Sequence, residues 1–377
     1  MINIMEKNEC TGCYGCATIC PQNCIYMLDD NEGFKYPKVD LDKCIKCNLC
    51  ERVCPLLNIK YIDNNPIALA CYNINDDVRK QSSSGGIFSL VAERVINNNG
   101  VVFGAKFDKN FEVKHDYAET IKGIDKFRGA KYVQSRIGDT YRIAKQFLNQ
   151  GRQVLFSGTP CQIGGLKRYL QKEYSNLICI DLICHGVPSP LAWKTYKERF
   201  NNKKEIKNIN FRDKTYGWKG YSFRIDYVDK SNELIRRLEN SYMDGFIGDI
   251  YLRPSCHECK FKSINRESDL TLADFWGIDN IIKDMNDDKG TSLILVNSEI
   301  GRIIVNDIYD SIKMVEVDIN EAIKYNISAI KSSYCNPKRE YFFKRINKVK
   351  FDKLVSRSLT EPINIRIKVK LAKLIKK

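Results

Sequence analysis

Short apolar runs alternate with segments of helical periodicity along most of the chain after residue 66. Six of these runs have the length and composition of buried strands, and they occupy residues 67–74, 100–107, 153–156, 176–183, 268–275 and 291–296. Apolar side chains recur at helical spacing after Ser84-Gly85-Gly86 and again over residues 137–148. Strands that alternate with helices predict a larger α/β domain with a mostly parallel, helix-covered sheet.

The remaining patterns divide the chain into three parts. Three segments have the pattern of more exposed, hairpin-like strands, and they lie at residues 206–210, 221–228 and 233–238. After Asn336-Pro337 the chain becomes basic, with a tail that is expected to be solvated; contact with an anionic membrane surface is the alternative. The predicted parts are a small N-terminal unit, the larger α/β domain and the basic tail, at residues 1–62, 67–345 and 346–377.

Eight cysteines in the first 54 residues form two copies of the spacing C-x2-C-x2-C-x3-C-P. This is the ligand run of a two-cluster bacterial ferredoxin, in which the fourth cysteine of each run binds the other cluster. The N-terminal unit is therefore predicted to have an α+β, ferredoxin-like fold and to pass single electrons, whereas zinc or disulfides are competing interpretations. The two predicted [4Fe–4S] ligand sets are Cys10, Cys13, Cys16 and Cys54, and Cys44, Cys47, Cys50 and Cys20.

Composition indicates the cellular compartment of the protein and excludes some kinds of partner. The chain of 377 residues has 16 cysteines, no secretory signal and no apolar run of the roughly 20 residues that span a bilayer. Many cysteines without such a signal favour metal ligation in a reducing compartment, so a cytoplasmic protein is expected. The formal charge is +15, but basic residues are spread along the chain and cluster ligands are thiolates, so nucleic-acid binding is not predicted.

Four more cysteines lie where loops are predicted to leave strands. Cys161 and Cys184 follow two predicted strands, and Cys256 and Cys259 form a C-x-x-C pair in a later loop. Loops at the carboxyl ends of strands converge on one crevice of an α/β sheet. Four thiolates there suit a third [4Fe–4S] cluster, with zinc as the alternative. A nucleophilic Cys161 with His185 as its base is a further hypothesis.

Six short motifs of the larger domain occur in a fixed order: SSSGGIF at 82–88, RGAKYV at 128–133, GTPCQ at 158–162, CHG at 184–186, CHEC at 256–259 and ADF at 273–275. Together they resemble the coenzyme F-420 hydrogenase/dehydrogenase beta-subunit family over about residues 67–345, with a ferredoxin domain fused in front. Members of that family are iron–sulfur flavoproteins that carry electrons between one-electron clusters and a two-electron acceptor through FAD. The resemblance implies that Cys161, Cys184, Cys256 and Cys259 hold a cluster.

The resemblance also implies a site for FAD. Ser84, Gly85 and Gly86 open a predicted helix, where backbone N–H groups without side-chain bulk suit a pyrophosphate, although a simple serine N-cap is the alternative. Gly290 and Thr291 are a second candidate for phosphate contact. The chain has no G-x-G-x-x-G fingerprint, so an ordinary Rossmann NAD site is not predicted.

Three further residues are assigned to the flavin site through the family motifs. Lys131 and Tyr132 align with a segment that contacts the flavin, and a cation there would stabilise the reduced flavin anion. Thr159 belongs to the GTPCQ motif and is placed in the same site. The alternative for Lys131 and Tyr132 is an exposed lysine beside a half-buried tyrosine.

The leading functional hypothesis is a flavin- and iron–sulfur-dependent oxidoreductase that exchanges electrons between a redox partner protein and an organic two-electron substrate. Similar fused proteins often accompany cell-surface polysaccharide synthesis, so the resemblance makes a glycan-related substrate plausible. His185 is the candidate proton donor. One alternative is the electron-transfer subunit of a hydrogenase or formate dehydrogenase. The other is a non-redox, cysteine-dependent transferase or a binding module with a structural metal.

Overall fold

The computed structural model of the chain describes residues 1–201 and 204–360. Its N-terminal unit contains two short helices and one antiparallel pair of strands. In chain order these elements are α1 (Gly15–Ile19), β1 (Ile25–Asp29), β2 (Lys35–Val39) and α2 (Leu49–Arg52). The predicted α+β, ferredoxin-like arrangement is confirmed.

The internal repeat of the N-terminal unit is visible in its backbone. The residues just before the second cysteine of each run, Gly12 and Lys46, have φ angles of 69° and 54°. The residues just after it, Tyr14 and Asn48, have φ angles of 67° and 59° and directly precede α1 and α2. Left-handed backbone at four equivalent positions turns both cysteine runs in the same way. The repeated spacing is therefore also a repeat of structure.

The larger domain is built on a mixed sheet, which has eight strands in the described part of the chain. These strands are β3 (Ile67–Asn73), β4 (Val101–Phe107), β5 (Val113–Ala118), β6 (Val154–Ser157), β7 (Leu177–Leu182), β11 (Leu270–Asp274), β12 (Ser292–Val296) and β13 (Ile312–Val317). Their order is β13-β3-β12-β11-β7-β6-β4-β5, and the neighbours from β11 to β4 are parallel. The other neighbours are antiparallel, which leaves five of the eight strands pointing the same way.

Helices cover both faces of this sheet, as predicted. Those of the larger domain are α3 (Asp76–Gln81), α4 (Ile87–Asn97), α5 (Ile121–Ile124), α6 (Thr140–Asn149), α7 (Pro160–Leu170), α8 (Pro190–Asn201), α9 (Ser241–Ile247), α10 (Glu299–Asp307), α11 (Ile319–Lys324), α12 (Arg339–Phe343) and α13 (Phe351–Leu359). Val102 and Leu155 pack with α4 and α10, whereas their neighbours Val101 and Val154 pack with α6 and α7. Successive strand residues thus enter opposite cores.

A second sheet carries an aromatic core beside the first. Its antiparallel strands are β8 (Ile206–Asp213), β9 (Ser222–Tyr227) and β10 (Asn232–Arg236), which confirms the hairpin-like pattern. The predicted exposure is wrong for β8 and β9, because their apolar side chains are buried in this core. Trp193 of α8 packs on Phe211 of β8 with ring centroids 5.0 Å apart, and Phe211 packs on Phe223 of β9 at 5.2 Å. This core holds β8 in place, and the end of β8 reaches the candidate site.

The predicted basic tail begins inside the described part of the chain. Helix α13 lies against α9, and its Phe351, Leu354 and Val355 are buried in the aromatic core, so the expectation of a solvated tail is wrong for this helix. Residues 361–377 lie outside the described residues, so membrane contact through the tail stays a prediction. Among the described helices, none combines the length and apolarity that a membrane span requires.

Candidate electron-transfer site

The N-terminal unit contains two cavities, each lined by a group of cysteines. The cysteines that line the first are Cys10, Cys13, Cys16 and Cys54. Those that line the second, with the additional Cys24, are Cys20, Cys44, Cys47 and Cys50. The fourth cysteine of each run thus lies in the other run's cavity, as the ferredoxin spacing predicts. The structure brings together both predicted ligand sets, which we call the inner set (with Cys10) and the outer set (with Cys44).

The donors of each set surround a cavity instead of meeting at a point. In residues 1–201 and 204–360, no group of three or more His, Cys, Asp or Glu side chains is close enough to hold a single metal ion. A cubane needs a wider arrangement, because each of its four irons binds one thiolate. Burial raises the pKa of the Cys13 thiol to about 12, so a bound metal is what favours its thiolate form.

The two cavities differ in their surroundings. Cys47 of the outer set is exposed, and so is the neighbouring Ile45. Cys13 of the inner set is buried. Cys24 is a cysteine without a predicted role, and its Sγ lies 3.3 Å from the Sγ of Cys20. Its position four residues after Cys20 was the feature of the sequence that could have placed Cys24 beside the outer set.

The third set of cysteines converges in the larger domain. Burial raises the pKa of Cys161, and the thiols of Cys259 and Cys184 raise it further. Burial also raises the pKa values of Cys184 and Cys256 to about 12, with Cys259 contributing to both. The backbone N–H of Val187 donates to the Cys256 Sγ at 3.4 Å, which joins the CHG and CHEC motifs. The four predicted ligands are therefore mutual neighbours.

The GTPCQ motif positions Cys161 at the start of α7. Thr159 is the N-cap and forms a capping box with Gln162, while Pro160 occupies the first turn. The Thr159 Oγ1 lies 3.1 Å from the Cys161 Sγ. Gln162 also donates to the Ser135 Oγ at 3.0 Å, which anchors the turn in the core. Thr159, predicted to contact a cofactor, is thus seen in contact with a predicted cluster ligand.

The third set lies close to the inner set. A methyl group on Gly165 of α7 would lie 3.1 Å from the Sγ of Cys13. Cys13 and Cys161 are also near enough for the charge of Cys13 to raise the pKa of Cys161. Helix α7 therefore carries one predicted cluster ligand and packs directly against another.

His185 is held by an acidic partner rather than by Cys161. Its Nε2 lies 2.7 Å from the Asp249 Oδ1, and its Nδ1 lies 3.4 Å from the Ser328 Oγ. The raised pKa of Cys161 disfavours a thiolate nucleophile in the absence of a metal. These contacts do not pair Cys161 with His185 as nucleophile and base, and ligation of a metal by Cys161 stays a prediction.

The two segments predicted to contact phosphate lie against each other. The Ser84 Oγ donates to the Thr291 carbonyl oxygen at 2.9 Å. A methyl group on Gly290 would lie 2.7 Å from the Ser84 carbonyl oxygen, and its φ of 109° also requires glycine. Helix α4 begins after Gly86, and no described side chain caps its first N–H groups. Ser84 is thus not the N-cap, and the N-terminus of α4 retains the donors that an anion binds. Gly85 donates to the Ser292 Oγ at 2.9 Å.

Lys131 braces its own loop. Its Nζ donates to the carbonyl oxygens of Lys126, Arg128 and Gly129 at 3.0, 2.9 and 3.1 Å. Burial lowers the pKa of Lys131 to about 7. All three hydrogens of the ammonium group are thus directed at backbone oxygens, and contact with a flavin stays a prediction.

Sequence reasoning missed a buried polar group beside Tyr132. Arg212, at the end of β8, donates to the Tyr132 hydroxyl at 3.2 Å and to the Asp274 carboxylate at 3.1 Å. Trp218 donates to Asp274 at 2.9 Å and stacks on Trp276 with an interplanar angle of 3°. The ADF motif marked Asp274 as a candidate site residue. Nothing in the sequence marked Arg212, because its strand was predicted to be exposed.

Lys214 links the two phosphate segments. Its Nζ donates to the carbonyl oxygens of Arg79, Ser84 and Lys289 at 2.8, 2.7 and 2.7 Å. Burial lowers its pKa to about 7. The end of β8 therefore brings two cations, Arg212 and Lys214, to the region where the flavin is predicted.

Comparison with known proteins agrees with this division of the chain. Residues 9–57 match the 4Fe-4S dicluster domain, and residues 151–322 match the C-terminal part of the beta subunit of coenzyme F420 hydrogenase/dehydrogenase. Residues 9–57 are thus an iron–sulfur electron-transfer region of the ferredoxin type. Through its N-terminal region the chain belongs to the 4Fe-4S dicluster ferredoxins, and the match of residues 151–322 confirms the resemblance to the coenzyme F420 hydrogenase/dehydrogenase beta subunit in that part of the chain.

Several relatives share part of the chain. A ferredoxin of Mycolicibacterium smegmatis is 34% identical over 79 residues, which are 21% of this chain and 70% of the relative. An iron-sulfur component of the CoB--CoM heterodisulfide reductase of Methanocaldococcus jannaschii is 28% identical over 128 residues, 26% of this chain and 19% of the relative. A component of the NADH-quinone oxidoreductase of Geobacter metallireducens is 37% identical over 60 residues, 15% of this chain and 46% of the relative. The chain thus spans less than half the length of the last two.

One solved structure is similar over much of the chain. It is a chain of the F420-reducing [NiFe] hydrogenase complex from Methanosarcina barkeri, with 13% sequence identity and a TM-score of 0.49. The similarity covers 74% of this chain and 91% of the other.

Proposed function

We propose that this protein is an FAD-dependent iron–sulfur oxidoreductase that converts between single electrons and the electron pairs of an organic substrate. The observation that carries the proposal is the contact of Gly165 in α7 with Cys13. This contact sets the inner ligand set against the helix that bears Cys161. A ferredoxin unit that packs on a second cysteine set is suited to pass electrons into the larger domain.

The exposure and the neighbours of the cysteines support an order in which electrons pass from the outer set to the inner set and then to the third set. Cys47 and its exposed neighbour Ile45 make the outer set the one that a redox partner protein can approach. Buried Cys13 then faces α7, whose Cys161 has Cys184 and Cys259 as neighbours. The third set would hold a [4Fe–4S] cluster between the ferredoxin unit and the larger domain.

The residues at the start of α4 suit a dinucleotide. The uncapped N–H groups after Gly86 and the glycine at 290 leave backbone donors free of side-chain bulk, which suits a pyrophosphate. Lys214 donates a hydrogen bond to the Ser84 carbonyl oxygen in the same segment. Tyr132 and Arg212 would lie beside the flavin ring. FAD, when bound, supplies the exchange between one-electron and two-electron chemistry.

His185 is the proposed proton donor to the substrate. Asp249 accepts from or shares a proton with its Nε2 at 2.7 Å, which fixes the orientation of the ring. The neighbouring Phe246 packs edge-on against the ring at 5.1 Å. Phe246 also packs on Tyr132 at 5.0 Å, so one aromatic side chain connects His185 to the proposed flavin site.

The substrate and partner are proposed on the family resemblance alone. A glycan-related substrate and a cytoplasmic location stay predictions. The match of residues 151–322 to a family of hydrogenase and dehydrogenase beta subunits favours a second candidate function. In that case the protein is the electron-transfer subunit of a hydrogenase or formate dehydrogenase and passes its electrons to a permanent partner.

Metal and flavin analysis of anaerobically purified protein tests the proposal. We expect about twelve iron atoms per chain, little zinc and one FAD, because three cubanes contain about four irons each. About eight irons with one zinc would assign the third set to zinc. Bound iron without any flavin, even after incubation with FAD, would overturn the proposal. Co-purification with a partner hydrogenase or dehydrogenase would favour the second candidate.

A further inference from the structure

Arg253 is a buried arginine that connects the ferredoxin unit with the larger domain. Its side chain is 0% exposed. Its Nε donates to the Cys10 carbonyl oxygen at 2.7 Å, and its two terminal nitrogens donate to the Lys35 carbonyl oxygen at 3.0 Å and to the Gln134 Oε1 at 2.9 Å. Its own carbonyl accepts from the Cys256 N–H at 2.9 Å. One residue thus contacts the chain at a ligand of the inner set and at a ligand of the third set.

The first cysteine run is shaped to receive this arginine. A methyl group on Gly12 would lie 2.8 Å from a terminal nitrogen of Arg253 and 2.8 Å from the Gln134 Nε2. Gln134 also donates to the Thr11 carbonyl oxygen at 2.9 Å. Arg253 and Gln134 therefore hold the turn between Cys10 and Cys13 from outside, and the glycine of that turn leaves the space for them.

The charge of Arg253 has no carboxylate partner among the described residues. Other arginines that are nearly as buried have one, in the pairs Arg79–Asp287, Arg168–Glu267, Arg212–Asp274 and Arg266–Asp181. The contacts of Arg253 are instead two carbonyls, one amide oxygen and the rings of Tyr36 and Phe34, whose centroids are 4.3 and 5.4 Å away. A buried charge without a counter-charge is costly, so a negative group is expected nearby.

We propose that Arg253 is the electrostatic partner and positioning residue of the cluster on the inner set. A cubane with four thiolates is negatively charged, and each added electron makes it more so. A fixed cation beside it stabilises the reduced form, which raises its reduction potential relative to the outer cluster. The inner cluster thereby attracts electrons from the outer one. The proposal rests on the two ferredoxin clusters and not on FAD or the third set.

A redox titration of the full, anaerobically purified chain tests this role. The variant Arg253→Gln keeps the planar, polar shape of the side-chain end but removes the charge. We expect one of the two ferredoxin midpoints, followed by the electron paramagnetic resonance of the reduced clusters, to shift to lower potential while the other stays in place. Arg253→Lys restores the charge and should return the shifted midpoint most of the way.

A second arginine between the same two units provides the matched control. Arg339 donates to Glu32 of the ferredoxin unit at 2.7 Å, so its charge is already paired. Arg339→Gln should loosen the attachment of the units and leave both midpoints unchanged. If Arg253→Gln keeps full iron and both wild-type midpoints, the proposal is wrong. It is equally wrong if Arg339→Gln produces the same shift, because loosened packing then explains it.

A different variant decides the matter if Arg253→Gln does not assemble its clusters. Gly12→Ala places a methyl group where the guanidinium lies and leaves the four inner cysteines and Arg253 itself intact. We expect it to lower the same midpoint by displacing the cation. Unchanged midpoints in an iron-replete Gly12→Ala protein would overturn the proposal.

Discussion

The two units of this chain are stabilised by different kinds of interior. In the ferredoxin unit the buried apolar cluster consists of Ile2, Cys24, Ile25 and Cys50, and cysteines also make up much of its margin. The larger domain has extended cores instead, one of them filled with packed aromatic rings around Trp193. A domain of about 60 residues buries only about 60% of the surface that its unfolded chain exposes, so its stability from packing alone is marginal. The comparison indicates that metal bonds hold the first unit and packing holds the second.

The contact between the units adds to this difference. Arg339 binds Glu32, and Arg168 donates to the Asn58 carbonyl oxygen at 2.9 Å, so one partly buried and one buried arginine of the larger domain hold the ferredoxin unit. Arg253 makes a third such attachment. The smaller unit therefore receives polar anchors from a domain that does not depend on it. Four predictions test this asymmetry, from the loss of a whole unit to the titration of a single side chain.

Removal of iron should have the largest effect. An anaerobic chelator should unfold residues 1–62 completely, because thiolate–iron bonds supply most of the stability of that unit. The larger domain should stay folded. Hydrogen–deuterium exchange resolved by peptide measures both outcomes, with full exchange expected in the ferredoxin unit and continued protection in β4, β6 and β7.

A single ligand change sharpens the same test. Cys47→Ala should cost about four irons and the protection of the ferredoxin unit, whereas Cys335→Ala, an exposed cysteine outside every set, should cost neither. Protection of residues 1–62 that survives complete iron loss would contradict the comparison.

The second prediction concerns the larger domain, which should lose stability while the ferredoxin unit keeps its iron. Phe211→Ala removes a fully buried ring from the aromatic core and should lower the free energy of unfolding of the larger domain by about 3–5 kcal/mol. The iron of the ferredoxin unit should remain. Denaturant unfolding followed by tryptophan fluorescence measures the loss. The exposed ring of Tyr309 is the control, since Tyr309→Ala should change stability by less than about 0.5 kcal/mol.

The contrast between buried and exposed strands explains which parts of the fold could be predicted from the sequence. Apolar runs predicted β4, β6 and β7 closely, because central strands are buried on both faces. The edge strands β5 and β13 were missed. Their sequences, VKHDYA and IKMVEV, mix charges with apolar residues because an edge strand has an exposed side.

The candidate site shows a similar limit. Cysteine spacing predicted both ferredoxin ligand sets, because each run wraps one cavity over a few residues and only the fourth ligand crosses over. The roles of Arg212, Lys214 and Arg253 could not be predicted from spacing. Their partners lie far away in sequence, such as Cys10 for Arg253, and are brought close only by the packing of whole units.

The third prediction places the third cysteine set within the comparison. Cys161 lies in the first turn of α7 and the other three cysteines lie outside the long helices and strands of a packed domain, so the proposed cluster should be lost without unfolding. Cys161→Ser, Cys184→Ser and Cys259→Ser should each lose about four irons and lower the stability of the larger domain by no more than about 1 kcal/mol. Iron analysis and thermal unfolding measure the two effects. Full iron in Cys161→Ser would remove that cysteine from the ligand set.

The last prediction concerns a single charge buried inside the packed domain. Burial lowers the pKa of Lys131 to about 7 in the folded protein, whereas an unfolded lysine titrates near 10.4. Between these values the unfolded chain binds more protons at this site, so its contribution to stability rises with pH. Its titratable neighbour His115 is neutral throughout this window, because burial lowers its pKa to about 4.

Lys131→Met should remove this pH dependence. The stability of the wild type relative to the variant should therefore rise from pH 7 to pH 10, which urea unfolding of both proteins at several pH values measures. Lys122→Met, a change at a solvent-exposed lysine of the short helix α5, is the control and should leave the slope unchanged. If the difference in stability between wild type and Lys131→Met does not change with pH, the prediction is wrong. The carbonyl oxygens of Lys126, Arg128 and Gly129 then keep the ammonium group of Lys131 protonated in the folded protein.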